Sequence, residues 1–166
     1  MDILLDLAKE LRNREDIGFL FVGRGSDAQK LAADAKRRNL ENVLFHDEID
    51  PDEIPGLYAQ CDVGLVALHP RHKTHNIPGK FLTYMQSGLP VLAKINEGND
   101  LVNLIRDERV GAVVTDNSVD LLKRTAESLV EQCDQDGELP SRCRVVYERL
   151  FSPEMAVKQI VNALEK

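Results

Sequence analysis

At 166 residues, with 28 Asp and Glu against 21 Lys and Arg, the chain has the length of one domain and a net charge of −7. That acidity weighs against general nucleic-acid binding, which draws on a basic surface, and an apolar content of 43% weighs against disorder. No apolar run approaches the ~18 residues that span a bilayer, no secretory pattern opens the chain, and Cys61, Cys133 and Cys143 have neither metal nor redox spacing. The expectation is a reduced, cytoplasmic protein with no metal site.

Ile3, Leu4, Leu7, Ala8 and Leu11 recur at helical spacing, so the chain opens in a helix. Residues 18–22 (GFLFV) form a short apolar run and read as a buried strand. Ser26 with Gln29 three residues on predicts a capping box at the start of the next helix, whose inner face carries Leu31, Ala32 and Ala35. Residues 43–45 read as a second strand. Pro55 suits the first turn of a helix reaching Gln60, since its missing N–H costs nothing there. Residues 63–68 read as a third strand. A helix over 80–87 is closed by Gly88, and Pro90 prevents its continuation. Strands over 90–93 and 111–114 flank a helix over 100–107. Three helices follow, over 119–132, 140–150 and 153–165, the last with Ser152 as N-cap and Pro153 at its first position.

Short apolar strands alternating with helices predict a doubly wound, Rossmann-like α/β domain: about five parallel strands with helices on both faces, in a single domain over 1–166. Ligands in such sheets bind beyond the carboxyl ends of the strands. Three loops reach that side, over 23–27, 46–50 and 69–80.

Charge singles out the third loop. Residues 63–96 contain no Asp or Glu, although the chain carries 28, and hold Arg71, Lys73, Lys80 and Lys94. Within them, His69, His72 and His75 stand beside Arg71 and Lys73, a segment whose potential attracts anions. The same three histidines could ligate a metal, but the neighbouring cations disfavour it. At Lys80 a Pro-Gly turn leads into a helix, whose unpaired N–H groups and dipole suit a phosphate. Without an anion, Lys80 would be a solvated first-turn lysine placed against the dipole.

The first loop admits another reading. Gly23-Arg24-Gly25-Ser26-Asp27-Ala28 fits the G-x-G-x-x-G/A pattern, with Asp47 spaced as a ribose-binding acid, which would make an NAD-binding oxidoreductase domain. No hydride-transfer constellation follows it. A non-catalytic nucleotide-binding module is the third alternative, and glycines at a tight turn have purely steric uses as well.

Four stretches in order carry a family resemblance: Phe21-Val22-Gly23-Arg24-Gly25, Asn42-Val43-Leu44-Phe45, Leu57-Tyr58-Ala59-Gln60-Cys61-Asp62-Val63, and Pro78-Gly79-Lys80-Phe81-Leu82-Thr83-Tyr84-Met85-Gln86-Ser87-Gly88-Leu89-Pro90-Val91. Together they resemble the C-terminal, donor-binding half of the GT-B glycosyltransferases of glycosyltransferase family four, most like bacterial enzymes of lipopolysaccharide or capsule assembly, such as N-acetylfucosamine transferases. The resemblance implies transfer of a hexosyl or N-acetylaminodeoxyhexosyl group from a nucleotide-diphosphate sugar, with UDP as the expected carrier, to a saccharide or lipid-linked acceptor, with no cofactor or metal. It further implies donor nucleotide and phosphate contacts at Gly23, Arg24, Gly25, His46, Ile77, Pro78, Gly79, Lys80, Phe81, Leu82 and Thr83, and a catalytic position at His75. The family's two acidic residues, eight positions apart, fall here on His75 and Thr83. Thr83 has a hydroxyl where the family's second acid holds the ribose.

The family's first strand and its N-terminal acceptor domain have no counterpart in these residues. The expectation is therefore a partial enzyme, inactive alone, whose full form works at the inner face of the plasma membrane with peripheral attachment as one option. A second expectation follows for the sheet. With the family's central strand missing, the 18–22 strand should pair directly with the 63–68 strand, or borrow a strand from a partner.

Overall fold

The computed structural model describes residues 2–68 and 77–164. Helices α1 (Asp2–Glu10), α2 (Ser26–Arg37), α3 (Ile54–Tyr58), α4 (Gly79–Ser87), α5 (Asp100–Glu108), α6 (Val119–Gln135), α7 (Leu139–Leu150) and α8 (Pro153–Leu164) alternate with strands β1 (Phe19–Val22), β2 (Val43–His46), β3 (Gly64–Ala67), β4 (Val91–Lys94) and β5 (Gly111–Val114) until the three closing helices. All five strands pair in parallel, as near-continuous apolar runs between helices require.

Two buried clusters lie on the two faces. One packs Val91, Ala93 and Ile95 against Phe81, Tyr84 and Met85 of α4, Leu101 and Ile105 of α5, and Cys143 and Val146 of α7. The other packs Phe19, Leu92 and Val114 against Leu5, Leu7 and Ala8 of α1 and Leu122, Ala126 and Leu129 of α6. Alternate residues of β4 thus serve opposite layers, the period-2 rule of a strand buried on both sides. Phe21 and Phe45, cross-strand neighbours in the β1–β2 register, stack with ring centroids 5.2 Å apart.

The expected pairing of β1 with β3 does not occur. The strands form two sheets, β1–β2 and β3–β4–β5. Phe19 N–H donates to Asn42 and Gly23 N–H to His46 on the β2 side, while Gly64 N–H donates to Pro90 and Leu68 N–H to Lys94 on the β4 side. The other edges of β1 and β3 have no strand partner among the described residues. One edge acceptor finds a side chain instead, because Tyr84 Oη donates to the Leu65 carbonyl at 3.4 Å. What joins the sheets is the shared apolar cluster beneath them, in which Phe19 of β1 meets the same helices as Leu92 and Val114. Burial is non-directional, so it holds the sheets together without a ladder.

The caps differ from expectation in one place. Helix α2 has Gly25 rather than Ser26 at its N-cap position. Gly25 has φ 117, a backbone state that suits a residue without Cβ, and this moves the helix boundary one residue earlier. A complete capping box forms at Asp50 and Glu53. Ser152 behaves as expected: its Oγ accepts from Met155 N–H at 3.3 Å. Helix α8 is described to Leu164, and the expected final residue, Glu165, lies outside the described residues.

A cavity of about 150 Å³ opens at the foot of the sheet, lined by Cys61, Asp62, Leu89, Pro90, Cys133 and Leu139. It lies at the amino ends of β3 and β4, opposite the side where ligands of such sheets bind. Burial pushes the Cys133 thiol up to about 11 and raises that of Cys61. At pH 8 both are therefore thiols rather than the reactive thiolates. Iodoacetamide should label them slowly in the native protein and at ordinary rates in urea. Mass spectrometry of timed aliquots checks this, and fast native labelling at pH 8 would contradict it.

Candidate functional site

The site is built around the start of α4. Phe81, Tyr84 and Met85 are buried and seat the helix on β3 and β4, which sets its N-terminus at the carboxyl end of those strands. Phe81 meets Phe151 edge-to-face, with centroids 6.1 Å apart and rings at 87°. Tyr84 lies over Gly64, where a Cβ would come within 2.6 Å of the ring, so the helix approaches β3 more closely than any other residue there would allow. Burial pushes the Tyr84 phenol up to about 12, which keeps it a hydrogen-bond donor to Leu65.

The N-terminus itself is open. Pro78 is the N-cap in extended conformation, makes no side-chain capping bond and brings no N–H, and the first turn holds no acid. Phe81 N–H donates back to the Pro78 carbonyl at 2.9 Å. Gly79 and Lys80, both exposed, therefore present the N–H groups that the helix cannot satisfy internally. Ile77 and Pro78 are half-buried and Leu82 is half-buried on the side turned toward the core. Thr83 is exposed, and its Oγ1 donates to the Lys80 carbonyl at 3.0 Å. Its hydrogen is thus engaged within the helix, and what it offers a ligand is an acceptor oxygen.

The first loop contributes differently from expectation. Arg24 is ion-paired with Glu48, Nε to Oε2 at 2.6 Å, both side chains being largely exposed. The β1–β2 register pairs Val22 with His46, and two residues further along each strand stand Arg24 and Glu48. Glu48 was the residue that sequence reasoning passed over, although that register, once known, points to it. Gly23 and Gly25 have φ 151 and 117, and a Cβ at either would meet nothing within 4 Å, so open space lies on the outer side of this turn. His46 is exposed, and its Nδ1 lies 2.8 Å from the Asp47 carbonyl, leaving Nε2 free to face a ligand.

His75 lies outside the described residues, as do His69, His72, Arg71 and Lys73. Among the described residues no group of three or more His, Cys, Asp or Glu could hold a metal ion. None of the described helices is long and apolar enough to cross a membrane. The structure thus assembles residues 77–83 as one surface and Gly23, Arg24, Gly25 and His46 as a second, both at the carboxyl ends of parallel strands.

A family profile described as "Glycosyl transferases group 1" matches residues 1–132. No curated protein matches the chain. Among solved structures, the chain is similar to S. aureus TarM, crystallised as a mutant with fondaparinux, α-GlcNAc-glycerol and UDP, at TM-score 0.77 and 18% identity over 97% of this chain and 32% of that one. It is similar to WaaG, a glycosyltransferase involved in lipopolysaccharide biosynthesis, at TM-score 0.70 and 21% identity, covering 90% of this chain and 39% of that one. A third is the catalytic domain of the cholesterol-α-glucosyltransferase from Helicobacter pylori, at TM-score 0.67 and 14% identity, covering 89% and 88%. The chain therefore has the Rossmann-like fold of a GT-B half and spans about a third of the TarM chain.

Proposed function

Because the chain belongs to the glycosyl transferases group 1 family, we propose that it is the donor-binding half of a glycosyltransferase that takes its sugar from a UDP-linked donor. The observation that carries this reading is the uncapped, acid-free start of α4, with Lys80 in its first turn. A lysine there is unfavourable against the helix dipole until an anion arrives, and a diphosphate supplies one. In the transfer, the bond from the sugar's anomeric carbon to the diphosphate breaks as one to an acceptor hydroxyl forms, and the hydroxyl's proton leaves to a base. Charge develops on the departing diphosphate. The N–H groups of Gly79 and Lys80 and the Lys80 ammonium stabilise it without rearranging.

In this reading the open side of Gly23 and Gly25 receives the nucleoside, His46 lies beside the base, Thr83 accepts from a ribose hydroxyl, and His75 stands near the donor sugar. The acceptor is a saccharide or lipid-linked saccharide of a bacterial surface polysaccharide, a lipopolysaccharide or capsule, as WaaG's description supports by analogy. The acceptor-binding side belongs to a second domain outside residues 1–166, and the whole enzyme works in the cytoplasm against the membrane's inner face. Alone, these residues bind UDP weakly and transfer no sugar.

Calorimetric titration with UDP tests the reading, with NAD as the competing ligand. Lys80→Ala should lose about 1.5–3 kcal/mol of UDP binding, the range for a charge-assisted hydrogen bond, with thermal stability equal or slightly higher. Arg24→Ala should lose less, since Glu48 already engages that guanidinium. Unchanged UDP affinity in Lys80→Ala would move the phosphate site elsewhere, and tight binding of NAD with none of UDP would replace the reading.

A further inference from the structure

Lys94 is the last residue of β4, the central strand of the three-stranded sheet, and is only 3% exposed. Val91, Ala93 and Ile95 belong to the cluster beneath α4, whereas Leu92 belongs to the one beneath α1 and α6. Strand alternation sets Lys94 on the Leu92 face. The register places it between Ala67 of β3 and Val114 of β5. Ala67 is small, and beyond it lies the β3 edge that pairs with no strand among the described residues.

Nothing described neutralises this lysine. The structure gives it no hydrogen bond and no ion pair to any described residue. Glu97 and Asp100, its nearest carboxylates in sequence, are exposed and form no ion pair with it. The acid-free segment extends from residue 63 to residue 96 around it. The stem is buried but the Nζ is not sealed from solvent, since among the described residues Asn42 Oδ1 is the buried side-chain polar atom left without a partner; the lysine lays its apolar stem inside the sheet and brings its charge to the open end of the strand. The end of a central parallel strand is where a ligand of such a sheet arrives.

We propose that Lys94 is a second phosphate-binding group, which meets the donor's diphosphate from the α1/α6 face of the sheet while the start of α4 meets it from the other. This deepens the donor-site reading and rests on it. Two cations on opposite sides of the strand ends would hold the diphosphate's two phosphoryl groups separately. Lys94 selects for the diphosphate rather than for the nucleoside, so its loss should leave the contribution of the base unchanged.

The experiment compares wild type with Lys94→Met, which keeps the length and apolar stem and removes the charge. Each is titrated with UDP, inorganic pyrophosphate and uridine, and melted with and without UDP. UDP and pyrophosphate affinity should fall roughly 10- to 100-fold, the range for one charge-assisted hydrogen bond, while uridine affinity stays level. The unliganded variant should melt at about the wild-type temperature, because Met keeps the buried stem and removes only the charge that reaches the strand end. Should Lys94→Met fail to fold, Lys94→Gln carries the same comparison. Undiminished UDP and pyrophosphate binding in the variant overturns the inference and leaves the donor-site reading standing. Pyrophosphate binding that depends on Lys94, with no UDP binding at all, overturns the donor-site reading and with it the donor role inferred for Lys94, leaving that lysine only as a phosphate-binding group. A wild type that binds none of these anions overturns both.

Discussion

Gly111→Ala should destabilise the protein by about 3 kcal/mol or more, lowering its melting temperature by roughly 6–12 °C. Gly111 opens β5 directly opposite Val91 of β4. Its φ is 152, and a Cβ built there would lie 2.1 Å from the Val91 carbonyl oxygen and 2.7 Å from the Val91 nitrogen. Both clashing atoms are backbone in a fully buried strand, so relief requires β4 and β5 to separate and their ladder to break. Two comparisons isolate this cause. At Gly88, the left-handed C-cap of α4, the nearest atoms belong to the Arg144 guanidinium, which can swing away; Gly88→Ala should cost about 1 kcal/mol, mainly for the positive φ. At Gly56, in α3, a Cβ meets nothing within 4 Å, and Gly56→Ala should be neutral or slightly stabilising. Thermal melts of the three variants give the order directly. A Gly111→Ala protein that melts with Gly88→Ala would mean that the β4–β5 contact is looser than the register implies.

Phe81→Ala should cost about 3–5 kcal/mol, the range for emptying a buried phenyl site, and should also weaken UDP binding by the folded protein. Phe81 is fully buried, contacts Phe151 at the end of α7 edge-to-face, and stands next in sequence to Lys80. The same side chain therefore fills the core and fixes the height of the α4 N-terminus above the strand ends. Phe81→Leu keeps most of the volume and should cost about 1–1.5 kcal/mol with UDP affinity nearly retained. Denaturant melts combined with titration below the transition separate the two effects. Full UDP affinity in folded Phe81→Ala would show that α4 is held in place by Tyr84 and Met85 alone.

The order and type of the helices α1 to α8 and strands β1 to β5 were legible in the chain, because short apolar strands, helical spacing and terminal signals such as Ser152-Pro153 are local. The position of Lys80 was legible for the same reason: a Pro-Gly turn before a helix is read from adjacent residues. The resemblance to glycosyltransferases likewise agrees with the family whose profile matches residues 1–132. Local signals misled where two were in competition. Ser26 offered a capping side chain, but Gly25 could adopt the positive φ that ends the β1 turn, and the helix took its cap there.

Three features depended on contacts between distant residues. The sequence implies parallel strands, yet among the described residues β1 and β3 form no ladder and the two sheets are joined by the apolar cluster that they share with α1 and α6. Arg24 looked free for a phosphate until the β1–β2 register carried Glu48 alongside it. Lys94 counted in the sequence only as one of four cations in an acid-free stretch, and its burial between Ala67 and Val114 came from the pairing of three strands. Periodicity and caps act over a few residues, and so composition and spacing determine them. Register and burial sum over many weak contacts far apart in the chain, which only the assembled sheets and helices decide.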